Sequence, residues 1–472
     1  MVASNLEAGS MRILIAGGGQ SAALIAGRLV REGSEVTIVD RDAERCTQLE
    51  EMLDAKVVRG SAASVRTLQR AGVAKAEMVI AVTDSDEVNL LACLIAQAEA
   101  DPKIEQVKVA RVRTHEVEAW REVAEKTGVG IDLMIHPETD VIDRIMRVVR
   151  VPGVSDIIDF AEGRVKLFGM NVERDSWFAG KTVEELDASG PPRDSLIAMI
   201  FRGNQVIIPH GAQPLLPGDH IFICATEGNL DEVLAFMGIE QRQKLERVFI
   251  VGGKQVGIGI AMELEKQGVK VKLIEREQSR CERIAELVSK TVVIHGDGTD
   301  QATLEEENIE GVDAFLALTN HDEDNIIASL LARRLGTKKV VALINRLNYL
   351  PMVQRLGINT SVSMRVATVD SVLQFVRKGA VQSVTTFRQE EAEAIELIAE
   401  EGSRYLGKPL REMKFPRGAI VGAIARPDGE VLVPRGDARI KAGDRVIFFT
   451  LEHVVPELES AFIAASRRTR QR

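Results

Sequence analysis

The chain carries one pattern twice, and that duplication constrains its fold more than any other feature. The stretch ILIAGGGQSAALIAGRL from Ile13 returns as VFIVGGKQVGIGIAMEL from Val248, so Gly252 and Gly253 fall on Gly17 and Gly18 at a shift of 235. The shift holds at the end of the next apolar run, where Asp40 meets Glu275, and becomes 236 at Gly60 and Gly296. It persists through AVTDSDEVN from Ala81 and ALTNHDEDN from Ala317. Further on, VIIPHGAQPLLPGD from Val206 matches VLVPRGDARIKAGD from Val431 at a shift of 225, placing Pro209, Gly211, Gly218 and Asp219 on Pro434, Gly436, Gly443 and Asp444. The order is therefore A-B-A-B. Each copy is long enough to bury its own core, which a solenoid repeat is not.

Within each A unit, apolar runs of about five residues alternate with helical patterns. In the first these are RILIAG, a helix from Gln20 to Arg31, EVTIVD, a helix from Ala43, AKVVRG, a helix from Val65, EMVIAV, a helix from Ser85 and VKVARV. That alternation predicts a parallel sheet with helices on both faces. Asp84 with Glu87, and Asn320 with Glu323, have the spacing of a capping box at the start of the helix after the fourth strand. Both pairs sit at the carboxyl edge of the sheet, where open α/β sheets hold ligands. Each B unit is smaller and richer in strands and turns, with Gly203-Asn204 and Gly429 between alternating runs. The expected fold class is α/β: two Rossmann-like doubly wound parallel sheets, each followed by a smaller α+β domain. The expected boundaries are a disordered extension over 1–10, A units over 11–134 and 246–366, crossover helices over 135–151 and 367–385, B units over 152–237 and 386–466, a linker over 238–245 and a basic tail over 467–472.

Composition narrows the function. A formal charge of −10 over 472 residues argues against a non-specific nucleic-acid binder, which needs a basic footprint to displace phosphate counterions. No run reaches the roughly 18 apolar residues of a membrane span, and residues 1–30 lack signal-peptide order, so a cytosolic protein is expected. Cys46, Cys93, Cys224 and Cys281 lie far apart without a CxxC pair, and no His/Cys/Asp cluster has metal-ligand spacing. Neither a disulfide frame nor a metal site is expected. Arg467, Arg468, Arg470 and Arg472 read as a solvated tail, Trp120 and Trp177 as packing anchors, and Cys93 as a core residue. His295 and His321 lie near the mouth of the second A unit.

The chemistry sits in the glycine loops. Gly17-Gly18-Gly19-Gln20-Ser21-Ala22 fits G-x-G-x-x-A between a strand and a helix, with Asp40 at the end of the next strand. Gly17 permits the tight turn, Gly19 lets backbone approach a pyrophosphate, Ala22 packs helix on strand, and the helix N-terminus offers amides to phosphate. Asp40 accepts from a ribose diol and repels a 2′-phosphate, which favours NAD or an adenosine nucleotide over NADP. In the second loop Lys254 takes the middle glycine position, where its Cβ crowds the pyrophosphate path and its ammonium answers phosphate charge. Glu275 keeps the acid, and Gly296-Asp297 stands where the first copy has Gly60-Ser61. The two sites are thus unequal.

These marks, with HPETDVIDRI, LTNHDEDNI, LINR and both B hairpins, resemble the TrkA family of bacterial potassium-uptake proteins, built from two regulator-of-potassium-conductance (RCK) units. The likeness spans about Met11 to Glu459. It implies RCK N-terminal and C-terminal domains in tandem, a cytoplasmic ring of four chains, binding of NAD(H) or ATP/ADP, and attachment to an integral-membrane Trk potassium transporter subunit. It implies a first nucleotide site of Gly17, Gly18, Gly19, Gln20, Ser21, Asp40, Arg41, Ser61, Thr83, Asp84 and Arg113. The second is Gly252, Gly253, Lys254, Gln255, Val256, Glu275, Arg276, Asp297, Thr319, Asn320 and Asn345. Regulation of potassium transport without catalysis is the expected function. The alternatives are an NAD-dependent dehydrogenase, which needs a general acid or base beside its substrate, and a soluble nucleotide sensor unrelated to potassium.

Overall fold

The computed structural model describes residues 11–113, 122, 126, 128, 130–151, 153–192, 194–203, 205–239, 245–358, 360–376, 381–387 and 392–462. The expected extension, the basic tail, Trp120, Asn204 and most of the linker lie outside these residues. The chain divides into two compact units, one formed by residues 11–140 with 364–376, the other by residues 141–363 with 381–462.

The first unit is built on a six-stranded sheet of β1 (Arg12–Ala16), β2 (Glu35–Asp40), β3 (Lys56–Arg59), β4 (Met78–Ala81), β5 (Val107–Arg111) and β6 (Leu133–Ile135) in the order β3-β2-β1-β4-β5-β6. All neighbours are parallel, with Ile13 opposite both Val36 and Met78. The connections include helices α1 (Gln20–Arg31), α2 (Ala43–Met52), α3 (Val65–Ala71) and α4 (Asp86–Glu99). Strand residues are apolar on both sides because both faces are covered: Ile13, Ile15, Ile38 and Ile80 pack under Ile25 and Leu29, while Leu14, Val39 and Val79 pack under Leu68 and Ala96.

In the second unit, helix α5 (Pro137–Val148, whose first residues belong to the first unit) leads into an antiparallel sheet of β7 (Val154–Phe160), β8 (Val165–Asn171), β9 (Ser195–Arg202), β10 (Gln205–Ile207) and β11 (His220–Thr226). A second parallel sheet follows: β12 (Arg247–Val251), β13 (Lys270–Glu275), β14 (Val292–His295), β15 (Ala314–Ala317), β16 (Val340–Leu343) and β17 (Thr360–Val362), ordered β14-β13-β12-β15-β16-β17. Its helices are α6 (Gln255–Lys266), α7 (Gln278–Leu287), α8 (Gln301–Glu306) and α9 (Asp322–Arg334). After helix α10 (Met364–Val376) comes the last sheet, β18 (Val381–Phe387), β19 (Ala392–Ile398), β20 (Ala419–Ala425), β21 (Val431–Leu432) and β22 (Arg445–Leu451). The two antiparallel sheets have one topology, β7-β8-β11-β9-β10 repeated as β18-β19-β22-β20-β21. Phe160, Phe222, Phe387 and Phe449 share one core cluster drawn from both.

The crossover helices pack in a way periodicity cannot reveal. Val369, Val372 and Leu373 of α10 join the cluster of β1 and α1, so the second copy's crossover helix covers the first copy's parallel sheet. In the other unit, a Cβ on Gly259 of α6 would collide with Ile142 of α5, so that glycine admits the first crossover helix against the second copy. The end of α5 is held by Lys339, whose ammonium donates to the carbonyl oxygens of Val148, Val151 and Val154 at 2.6, 2.6 and 2.7 Å. Burial pushes this amine down to about 7.

Candidate functional site

Each predicted loop sits at the carboxyl edge of its parallel sheet. Gly17 and Gly252 turn the chain with φ of +105° and +108°, a region L side chains rarely adopt. A Cβ on Gly17 would stand 3.0 Å from the Thr83 amide nitrogen, so the glycine turn is wedged against the loop after β4. The Gly18 amide donates to Asp40 Oδ2 at 2.6 Å, and the Gly253 amide to Glu275 Oε2 at 2.9 Å. The acid's other oxygen accepts from the amide two residues on, Asp42 at 2.8 Å and Glu277 at 2.9 Å. Arg45 and Arg280 stand 3.3 and 3.7 Å from these carboxylates. The acid expected to meet a ribose, Asp40, is also part of the core. It is buried, 6% exposed, and ties the glycine loop to β2. Aspartate and glutamate interchange here because both reach the same amide.

The loop after the fourth strand is organised by Asn89 and Asp86, neither of them among the expected site residues. The amide and hydroxyl of Thr83 donate to Asn89 Oδ1 at 2.8 and 2.7 Å, and Asn89 Nδ2 donates to the carbonyls of Thr83 and Arg111 at 3.2 and 2.8 Å. Thr319, Asn325 and Leu343 repeat the arrangement. Asp86 accepts from the Arg113 amide at 2.8 Å, and Asp322 from the amides of Asn345 and Arg346 at 3.0 and 2.6 Å. Their presence in both copies at a shift of 236 was the available signal. The expected capping boxes are corrected. Ser85 caps α4 by accepting from the Val88 amide, and α9 begins after His321 without a side-chain cap. The threonine–asparagine pair folds the loop one residue further on, leaving Asp84 and Asn320 exposed.

Around the first cradle, Arg111 donates to the Thr83 carbonyl at 2.7 Å and pairs with Asp84 at 3.1 Å, while Arg113 reaches the Asp84 carbonyl and lies 3.7 Å from Asp86. Burial lowers the Arg111 pKa. Ser61 is exposed and accepts from the Ala63 amide. Arg41 and Gln20 are exposed, and Ser21 is buried in the first turn of α1. Around the second, Arg276 bridges Asp297 at 2.8 Å and Asp324 at 3.6 Å. Burial draws the Asp297 carboxyl upward, but the Thr299 amide and hydroxyl and the Arg276 guanidinium outweigh it and hold the pKa below the usual range. At the positions of Asp297 and Asp324 the first copy has Ser61 and Val88, so this bridge exists in one copy. Lys254 is exposed, Gln255 half-buried and Val256 buried. His295 and His321 are exposed; His295 Nε2 lies 3.1 Å from the Arg276 carbonyl oxygen.

The cradles suit a nucleotide phosphate. A Cβ on Gly19 would meet no atom within 4 Å, so open space faces the start of α1. Neither α1 nor α6 has a side-chain cap or an acid in its first turn. The aligned Lys254 shows that the middle position sterically accepts a side chain. The third position differs: Ala22 fits, but a Cβ on Gly257 would collide with the Gly252 carbonyl oxygen. Among the described residues no group of histidine, cysteine and acidic side chains can hold a metal, and all four cysteines are free and buried.

Two family models cover most of the chain. The TrkA-N domain matches residues 13–137 and 248–364, and the TrkA-C domain residues 167–238 and 394–463. The chain belongs to the TrkA family. The Trk system potassium uptake protein TrkA of Halomonas elongata is 36% identical over 445 residues, covering 94% of this chain and 96% of the relative. That of Haemophilus influenzae is 36% identical over 460 residues, 96% and 98% of the two chains. A TrkA homologue of Methanosarcina mazei is 34% identical over 456 residues, 96% and 100%. Among solved structures, the GsuK channel matches with a TM-score of 0.60 at 20% identity over 96% of this chain and 79% of that one. The GsuK RCK domain gives 0.60 at 20% over 96% and 95%, so the fold is shared. Among the described residues no helix is long and apolar enough to cross a membrane.

Proposed function

We propose that the chain is the cytoplasmic, nucleotide-sensing regulatory subunit of a Trk potassium transporter, acting as a ring of four chains docked on the membrane subunit. One observation carries the reading: two glycine cradles, each braced by the carboxylate at the end of its second strand and by a threonine–asparagine pair after its fourth. Gly17–Ser21, Asp40, Thr83 and Arg113 would hold a nucleotide in the first cradle, and Gly252–Val256, Glu275, Asp297, Thr319 and Asn345 in the second. NAD(H) is favoured, with ATP or ADP as further ligands; the GsuK channel, whose fold is shared, has a structure bound to NAD.

The residues suit a switch. Every brace ends on backbone that a ligand would touch, so occupancy acts on the loops joining strands β1, β2, β4 and β5. A nucleotide favouring one of two ring shapes shifts their population, and a coupling of about 1–3 kcal/mol changes gating roughly 5- to 150-fold. The dehydrogenase reading finds little support. The repeated acids of the antiparallel domains are structural: Asp219 takes Arg202 through both oxygens at 2.8 and 2.7 Å, and Asp444 accepts from the Lys441 amide. Calorimetry of NAD, NADH, ATP and ADP on the full chain tests the proposal, with potassium flux through the cognate transporter measured beside it. Absence of binding by all four sinks it, as does flux indifferent to those that bind.

A further inference from the structure

Helix α10 belongs in chain order to the second copy, yet it lies along α1 beside the first cradle. Gln20 opens α1 directly after Gly17, Gly18 and Gly19. Arg365, the second residue of α10, donates through Nη1 to Gln20 Oε1. Both residues lie in the first unit, and Arg365 is half-buried against it. The first turns of α1 and α10 contain no acid, so the positive ends of two helices and a guanidinium converge on one place. The open space at Gly19 begins there.

We propose that Arg365 is a phosphate-binding residue of the first nucleotide site, supplied across the duplication by the crossover helix of the other copy. The inference rests on the nucleotide reading above and adds to it a ligand class: a nucleotide carrying two or more phosphates. A guanidinium presents its N–H groups as a planar fork matched to phosphate oxygens, and such charge-assisted bonds are stronger than neutral ones. Gln20 Oε1 holds the fork at the rim of the cradle, and a phosphate oxygen takes that place when the ligand enters. The feature is not duplicated. The helices α5 and α10 begin at Pro137 and Met364, and in that register Glu138 stands where α10 has Arg365. Because α10 runs on in the chain toward β18, the charge bound at the first site bears on a helix that the second copy supplies.

The test is calorimetry of the full-length chain with AMP, ADP and ATP at low and high sodium chloride. In the wild type one class of sites binds ATP more tightly than AMP, and salt weakens the preference. Arg365→Gln lowers the ATP-to-AMP affinity ratio of that class about tenfold or more while AMP binding persists. Arg365→Lys restores part of the ratio. An unchanged ratio in Arg365→Gln overturns the proposal, and so does an equal loss of AMP and ATP affinity, which marks a structural role. If the wild-type chain binds none of the three compounds, the nucleotide reading falls and this proposal with it; if it binds them and only the ratio fails to respond, this proposal alone falls.

Discussion

Asp40 does two jobs that pull a mutational experiment in two directions. Its carboxylate takes the amides of Gly18 and Asp42 inside the protein, and a ribose is the proposed third partner. Asp40→Ala leaves the buried Gly18 amide without an acceptor, which costs about 1–3 kcal/mol. The expected result is a lowered denaturation midpoint together with weakened NAD(H) binding, while Asp40→Asn keeps more of the stability than of the binding. A midpoint unchanged by Asp40→Ala removes the bracing role. Gly257→Ala is expected to destabilise the second cradle because the methyl group meets the Gly252 carbonyl, whereas Ala22→Gly costs only about 1 kcal/mol of helix propensity. The cysteines give a pH test. Burial pushes the Cys93 thiol up to about 12 and the Cys224 thiol higher still, and burial with the Asp40 charge raises Cys46. A thiol raised this far holds its proton at pH 8, so a thiolate-selective reagent should leave Cys93 and Cys224 unlabelled until the chain is denatured.

At the scale of elements, the joint at the end of α5 is the most exposed to a single change. Lys339→Met leaves the buried carbonyls of Val148, Val151 and Val154 without the amine's N–H groups and is expected to cost about 2–5 kcal/mol, read as a shift of the chemical denaturation midpoint. The amine's pKa of about 7 in the folded chain, against 10.5 in the unfolded one, means that unfolding takes up a proton between those values. Stability from this group therefore rises as pH climbs from 7 toward 10, and Lys339→Met should flatten that slope. A slope identical in the two proteins contradicts the assignment. The elements themselves were largely legible. Helices predicted to open at Gln20, Ala43 and Val65 open there, because glycine, Asp42 and Ser64 precede them as caps or turns. The start of α4 was missed by one residue, since Thr83 and Asn89 bond to each other across a turn that spacing alone does not disclose.

For the whole molecule the duplication predicts a count. Two cradles per chain should bind two nucleotides per chain with unequal affinities, one class sensitive to Asp40→Asn and the other to Glu275→Gln. A single class lost entirely on Asp40→Asn would leave the second copy a structural relic. Light scattering of the full chain should give a mass near four times 51.7 kDa. A monomer at micromolar concentration contradicts the ring.

The repeat, read along the chain, determined the fold class, the order of parallel and antiparallel sheets and the place of both glycine cradles. These follow from local rules: period-two and helical apolar patterns, turn glycines, and an acid at a strand end. What only tertiary structure decided is which parts of the two copies meet. Val369 and Leu373 fall in an expected crossover helix whose partner the repeat does not name, and they cover β1 and α1 of the other copy. Arg365 carries no motif, and it stands at a cradle 345 residues away in sequence. A side chain's pattern states that it must be buried or satisfied; the partner is chosen by packing between distant segments, on which local sequence is silent.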